Sequence, residues 1–88
     1  MSWVYKFDQR ALKELKKLGK QDQRAIIDYL DERVAGSEDP RRFGKNLKAD
    51  LAGLWRYRVG DFRILCQIRD GELLVLVVAV GHRRNIYG

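Results

Sequence analysis

Residues 73–80 form an unbroken apolar run, mostly leucine and valine, in a chain of 88 residues. The run is far shorter than the roughly 20 residues a membrane helix needs. Its β-branched content suits a strand buried on both faces, with neighbours at both edges. A chain of this size buries about 60–65% of its extended surface. One sheet around this strand therefore uses the core available, and the expectation is a single domain spanning 1–88.

The stretch before the run reads as two more strands. Trp55, Tyr57 and Val59 alternate with arginines, and Phe62, Ile64, Cys66 and Ile68 recur at every second position of the next stretch. Gly60-Asp61 between them suits a type II′ hairpin, and Asp70-Gly71 a tight type I′ turn. These features predict a three-stranded antiparallel meander.

Trp3, Tyr5 and Phe7 predict a first strand, after which Asp8 can cap a helix. Ala11, Leu12, Leu15 and Leu18 give that helix one apolar stripe, stopped by Gly19. A second helix is predicted over about 21–35, with Ile26, Ile27, Leu30 and Val34 inward and Gly36 at its end. Residues 41–53 read as a connection holding at most a short helical turn. The order is an N-terminal strand, a two-helix hairpin and the meander: an α+β fold with one helical layer on one sheet.

The net charge is +6, from 18 Lys and Arg against 12 Asp and Glu. Residues 1–40 are balanced, so the whole excess lies in 41–88, which points to a face for a polyanion. One cysteine and one histidine exclude an internal disulfide and any two-histidine metal site. Cys66 reads as a core thiol. The N-terminus lacks the pattern of a signal peptide, so a soluble cytoplasmic protein with a reduced thiol is expected.

The hairpin concentrates this charge. With Gly60-Asp61 as the turn, Arg58 faces Arg63, and Arg56 lies two residues along on the same side. Directly opposed like charges are unfavourable by a few tenths to about 1 kcal/mol. Guanidinium forks grip phosphate oxygens bidentately, so such a cluster suits phosphate binding. A tight Asp70-Gly71 turn would set Arg63 opposite Val78, with His82, Arg83 and Arg84 emerging a few residues away. Tyr87 can stack on a base, and Lys45 and Lys48 can serve a phosphate backbone. Taken singly, His82 reads as a surface histidine and Tyr87 as a packed aromatic.

The run Leu54-Trp55-Arg56-Tyr57-Arg58-Val59-Gly60-Asp61-Phe62-Arg63-Ile64 resembles the central hairpin of the RelE/ParE superfamily of toxin–antitoxin systems. The ending Val80-Gly81-His82-Arg83-Arg84-Asn85-Ile86-Tyr87 resembles its terminal motif. The opening helix, from Ala11 to Leu18, is similar to that of the RelE branch. The resemblance implies a microbial-RNase-like fold and a type II toxin that cuts mRNA in the ribosomal A site by 2′-hydroxyl attack. It implies no metal or other cofactor. The implied partners are the ribosome, mRNA and a RelB-like antitoxin, with operator DNA reached only through the antitoxin complex and no membrane.

The same resemblance implies roles. Arg63 and Arg56 would hold the scissile phosphate, with Arg58 beside them. Arg83 would serve the leaving oxygen, and Tyr87 would stack on or orient the substrate. Apart from the resemblance, the charge of Lys45, Lys48 and Arg84 makes them candidate RNA-binding residues. The chain departs from the best-known RelE members, which carry lysines where Arg56 and Arg58 stand. Arginine does not act as a general base. Histidine is the side chain that titrates near neutrality, so either His82 is the base or the reaction relies on positioning and charge stabilisation with no dedicated base. The alternative is a ParE-type toxin that inhibits DNA gyrase without catalysis.

Overall fold

In the computed structural model, which describes residues 2–84, Val4–Phe7 (β1) runs parallel to Leu74–His82 (β5). Asp8 ends this strand and starts the next element. Its backbone N–H donates to the Val77 carbonyl at 2.9 Å, and its carboxylate accepts from the Ala11 N–H at 2.8 Å. The second bond caps the helix Gln9–Lys16 (α1), satisfying a donor that a helix start leaves open. Ala11 and Leu15 are buried, whereas Leu12, expected on the same stripe, is 39% exposed. An eight-residue helix crossing a strand buries only a narrow i, i+4 stripe, and Leu12 falls beside it.

Gly19 serves as the extended N-cap of Lys20–Arg33 (α2). Ile26, Leu30 and Val34 are fully buried, and Ile27 packs at the margin. Gly36, at φ +74°, donates its N–H to the Trp3 carbonyl at 3.0 Å and ties the end of this helix to the start of the chain.

The meander forms as expected from Trp55–Val59 (β3), Phe62–Arg69 (β4) and β5. One element was not legible. Lys45–Asn46 (β2) pairs antiparallel with β3, giving the order β1-β5-β4-β3-β2. The rest of the 41–53 segment includes a 3₁₀ turn at Ala49–Leu51, after another at Pro40–Arg42. A two-residue strand has no periodicity of its own and exists through its partner.

The turns differ in outcome. Gly60 takes φ +59° with Val59 paired to Phe62, and Asp61 stays out of the left-handed region, as a type II′ turn requires. At Asp70-Gly71 the expected two-residue turn is replaced by a longer loop. Asp70–Glu72 form a 3₁₀ turn and Leu73 is left-handed at φ 50°. Arg69 therefore pairs with Leu74, and a bulge that leaves Val78 unpaired shifts the register again. Arg63 ends opposite Gly81 rather than Val78.

The core lies between the helices and one face of the sheet. Ala11, Leu15, Ile26 and Leu30 meet Tyr57, Ile64, Cys66, Val75, Val77 and Val80. The bulge explains the switch from odd to even positions along β5, because an extra residue reverses the alternation. Among the described residues no helix is long and apolar enough to cross a membrane.

Candidate functional site

Strand alternation places the basic side chains. Arg58 pairs with Arg63 and Lys45 with Arg56, and Arg56 and Arg58 are two residues apart. Lys45, Arg56, Arg58 and Arg63 therefore share the sheet face away from the core residues Tyr57 and Ile64. Gly81, opposite Arg63 on β5, adds no side chain to that face.

The four cations are not equivalent. Arg63 is 8% exposed, the buried charged side chain among the described residues. Its Nη1 donates to the Phe62 carbonyl at 3.4 Å. A guanidinium held this far from water acts on an incoming anion with less screening than an exposed one. Arg56 is half-buried, while Arg58 and Lys45 are exposed.

The tail approaches the same end of the sheet. The Arg83 N–H donates to the Asp61 carbonyl at 2.8 Å, fastening the chain after β5 to the β3–β4 turn. This bond brings Arg83 to the end of the hairpin that carries Arg58 and Arg63. Arg84 is exposed, and its N–H donates to His82 Nδ1 at 3.3 Å. His82 pairs with Phe62, and their rings meet edge-on at 5.9 Å. Its ring thus belongs to the Phe62 side of the sheet, away from the arginine face. The lone pair of Nδ1 is used by Arg84, which leaves Nε2 to carry the proton of the neutral ring.

Lys48 is exposed just before the 3₁₀ turn at Ala49–Leu51. It sits at the far end of β3 from the Gly60 turn and is not brought to the arginine cluster. Tyr87 lies outside the described residues.

Two contributors escaped sequence reasoning. The Glu14 carboxylate accepts the Val80 backbone N–H at 2.9 Å, from 66 positions away. Its only sequence signal was an acid within an otherwise basic helix. Beside Arg56 and Arg58, a cleft of about 200 Å³ opens at the edge of β3, lined also by Tyr29, Phe43, Gly44 and Lys45. Nothing in the spacing of Tyr29 and Phe43 announces it, because they come from unrelated segments.

A single helical layer packed on a five-stranded sheet, with a basic cluster on the sheet's other face, is the architecture expected of a small RelE-like toxin. The comparisons agree. Residues 5–87 match the family model described as the ParE toxin of type II toxin–antitoxin systems. Toxin RelG of Mycobacterium tuberculosis is 32% identical over 87 residues, covering 99% of this chain and 98% of the relative. The toxin–antitoxin complex RelBE2 of M. tuberculosis contains a chain that superposes with a TM-score of 0.79 at 29% identity, covering 94% of this chain and all of that one. The isolated E. coli RelE toxin gives 0.73 at 28% identity, covering 91% and 83% respectively. The chain belongs to the ParE toxin family of type II toxin–antitoxin systems, and within it is RelE- and RelG-like.

Proposed function

We propose that this protein is a ribosome-dependent endoribonuclease that cuts mRNA in the A site, with no metal required, and is held inactive by a cognate RelB-like antitoxin. The observation that carries the reading is the direct pairing of Arg58 with Arg63, one residue pair from the hairpin turn, with Arg56 and Lys45 on the same face. Opposed cations on rigid strands oppose folding, and a phosphate between them reverses the sign of the interaction.

In this reading Arg63 and Arg56 hold the non-bridging oxygens of the scissile phosphate, and Arg58 adds charge beside them. The substrate's 2′-hydroxyl attacks the phosphorus, the bond to the 5′-oxygen breaks, and a 2′,3′-cyclic phosphate and a 5′-hydroxyl result. The hydroxyl proton passes to water, and the leaving oxygen takes a proton from water while Arg83 donates a hydrogen bond to it. Catalysis is then mainly charge stabilisation and positioning, with donors aimed where negative charge grows. His82 holds the end of β5 through Phe62 and Arg84 and needs no proton-transfer role. Tyr87 orients the substrate, and Lys48 and Arg84 contact the RNA backbone further out.

The antitoxin partner is supported by the RelBE2 complex, in which the similar chain is bound to its antitoxin. A basic face of this kind suits an acidic segment laid across it.

A second reading, a gyrase inhibitor without catalysis, is favoured by two observations. The matched family is described as ParE, and no arginine on the basic face can accept a proton. Primer extension on a reporter mRNA in a purified translation system separates the two. Breaks within A-site codons, absent without ribosomes, support the nuclease. Intact mRNA beside a protein that still arrests growth selects gyrase inhibition.

A further inference from the structure

The cleft at the β3 edge is a built feature. β2 pairs with β3 only at Trp55 and Arg56, so the edge of β3 is open beyond them. The segment before β2 is pinned over that gap. Tyr57 Oη donates to the Pro40 carbonyl at 2.6 Å, and Trp55 Nε1 donates to the Phe43 carbonyl at 2.7 Å. Gly44, at φ +86°, passes so close to Trp55, Arg56 and Tyr57 that no side chain fits there. The Arg33 guanidinium lies 4.7 Å from the centre of the Phe43 ring and 5.3 Å from that of Tyr29. Tyr29 in turn packs on Tyr57 at 5.7 Å.

The result is a slot of about 200 Å³ walled by Tyr29 and Phe43 and rimmed by Lys45, Arg56 and Arg58. It is smaller than the 300–1,000 Å³ of a drug-sized ligand site and suits one ring system. Aromatic walls with a cationic rim are what an unstacked nucleobase meets in single-strand recognition. Arg56 and Arg58 belong to both the slot and the arginine face. A phosphate seated on that face therefore lies beside the slot, because β3 carries Arg56 and Arg58 for both.

We propose that this slot receives a base of the RNA next to the cleaved bond and so sets which A-site codons are cut. The inference rests on the nuclease reading above and adds a specificity-determining pair, Tyr29 and Phe43, to it.

The test uses Phe43→Leu, which removes the ring, and Phe43→Tyr, which keeps it, each checked for a cooperative thermal transition. Cleavage is mapped over all codons of a reporter in the translation system. Binding is followed with a 2′-O-methyl oligoribonucleotide, which cannot be cut, carrying 2-aminopurine. For Phe43→Leu, kcat/KM should fall about tenfold, unevenly across codons that differ at one position, and Phe43→Tyr should restore it. The 2-aminopurine emission should be quenched by the parent protein and by Phe43→Tyr but not by Phe43→Leu. An unchanged or uniformly lowered codon profile in folded Phe43→Leu overturns the slot alone. Quenching that needs Phe43, without cleavage on ribosomes, overturns the nuclease and with it the codon role, and leaves the slot as a base-binding site. Neither binding nor cleavage overturns both.

Discussion

The Glu14 carboxylate on α1 takes the backbone N–H of Val80 on β5, at 2.9 Å. β1 pairs with β5 only as far as Val77, so beyond that point the edge of β5 would offer its donors to no strand. Glu14 stands in for the missing strand. It thereby steadies the stretch of β5 that leads to Gly81, His82 and the Arg83 anchor at Asp61. Glu14→Ala should lower stability by about 1–2 kcal/mol, because it strands a partly buried amide. Glu14→Gln keeps an acceptor and should lose less. Urea denaturation of the three proteins measures the order.

Arg63 is the most sheltered of the four cations on the basic face. If it grips the scissile phosphate, Arg63→Ala should reduce cleavage on ribosomes by about 10²–10³-fold. Arg63→Lys should recover little, since an ammonium cannot make the bidentate grip. Single-turnover cleavage rates decide this, and full activity in Arg63→Ala would remove the phosphate-binding role.

Gly44 carries a strict constraint. A Cβ there would collide with the Arg56 carbonyl and Trp55 Nε1, and φ is already +86°. Gly44→Ala should cost at least about 2 kcal/mol by splitting β2 from β3. Gly53, at φ +90° but in open space, should tolerate alanine better. Thermal melts of the two variants provide the comparison.

Tyr5 gives a sign for the alkaline limb. Partial burial, then the 2.6 Å hydrogen bond to Asp31, push its hydroxyl up to about 12. The folded protein holds this proton more tightly than the unfolded chain, whose tyrosine titrates near 10. The stabilisation is complete below pH 10 and is lost as pH rises towards 12. Denaturation between pH 9 and 12 should show stability falling more steeply in the parent than in Tyr5→Phe.

Cys66 is fully buried, and burial alone raises its thiol well above the ordinary range. It should resist thiol reagents in the native state and react at the rate of unfolding. Labelling kinetics across a urea series test this, and fast labelling without denaturant would show that β4 opens locally.

Much of this protein was legible along the chain, for local reasons. Gly60-Asp61 can serve only a few turn types, and that turn alone opposes Arg58 to Arg63. Ile26, Leu30 and Val34 return to one side of a helix whatever they pack against. Asp8 caps because its side chain is short and α1 begins beside it. The membership of the arginine face followed from alternation, except for Lys45, whose place depended on a strand too short to have a pattern.

What only the tertiary structure decided is where non-local energies compete. Asp70-Gly71 favours a tight turn locally, yet packing of β5 against β1 and α1 selects a longer loop, a left-handed Leu73 and a bulge at Val78. Those choices move Arg63 from Val78 to Gly81 and turn His82 towards Phe62. Burial over a whole strand outweighs the preference of one turn, because each buried leucine or valine contributes about 1.5–3 kcal/mol and a turn preference much less. The slot between Tyr29 and Phe43 is of the same kind. Its walls lie on segments that share no periodicity and meet only because Tyr57 and Trp55 tie the connecting chain to β3.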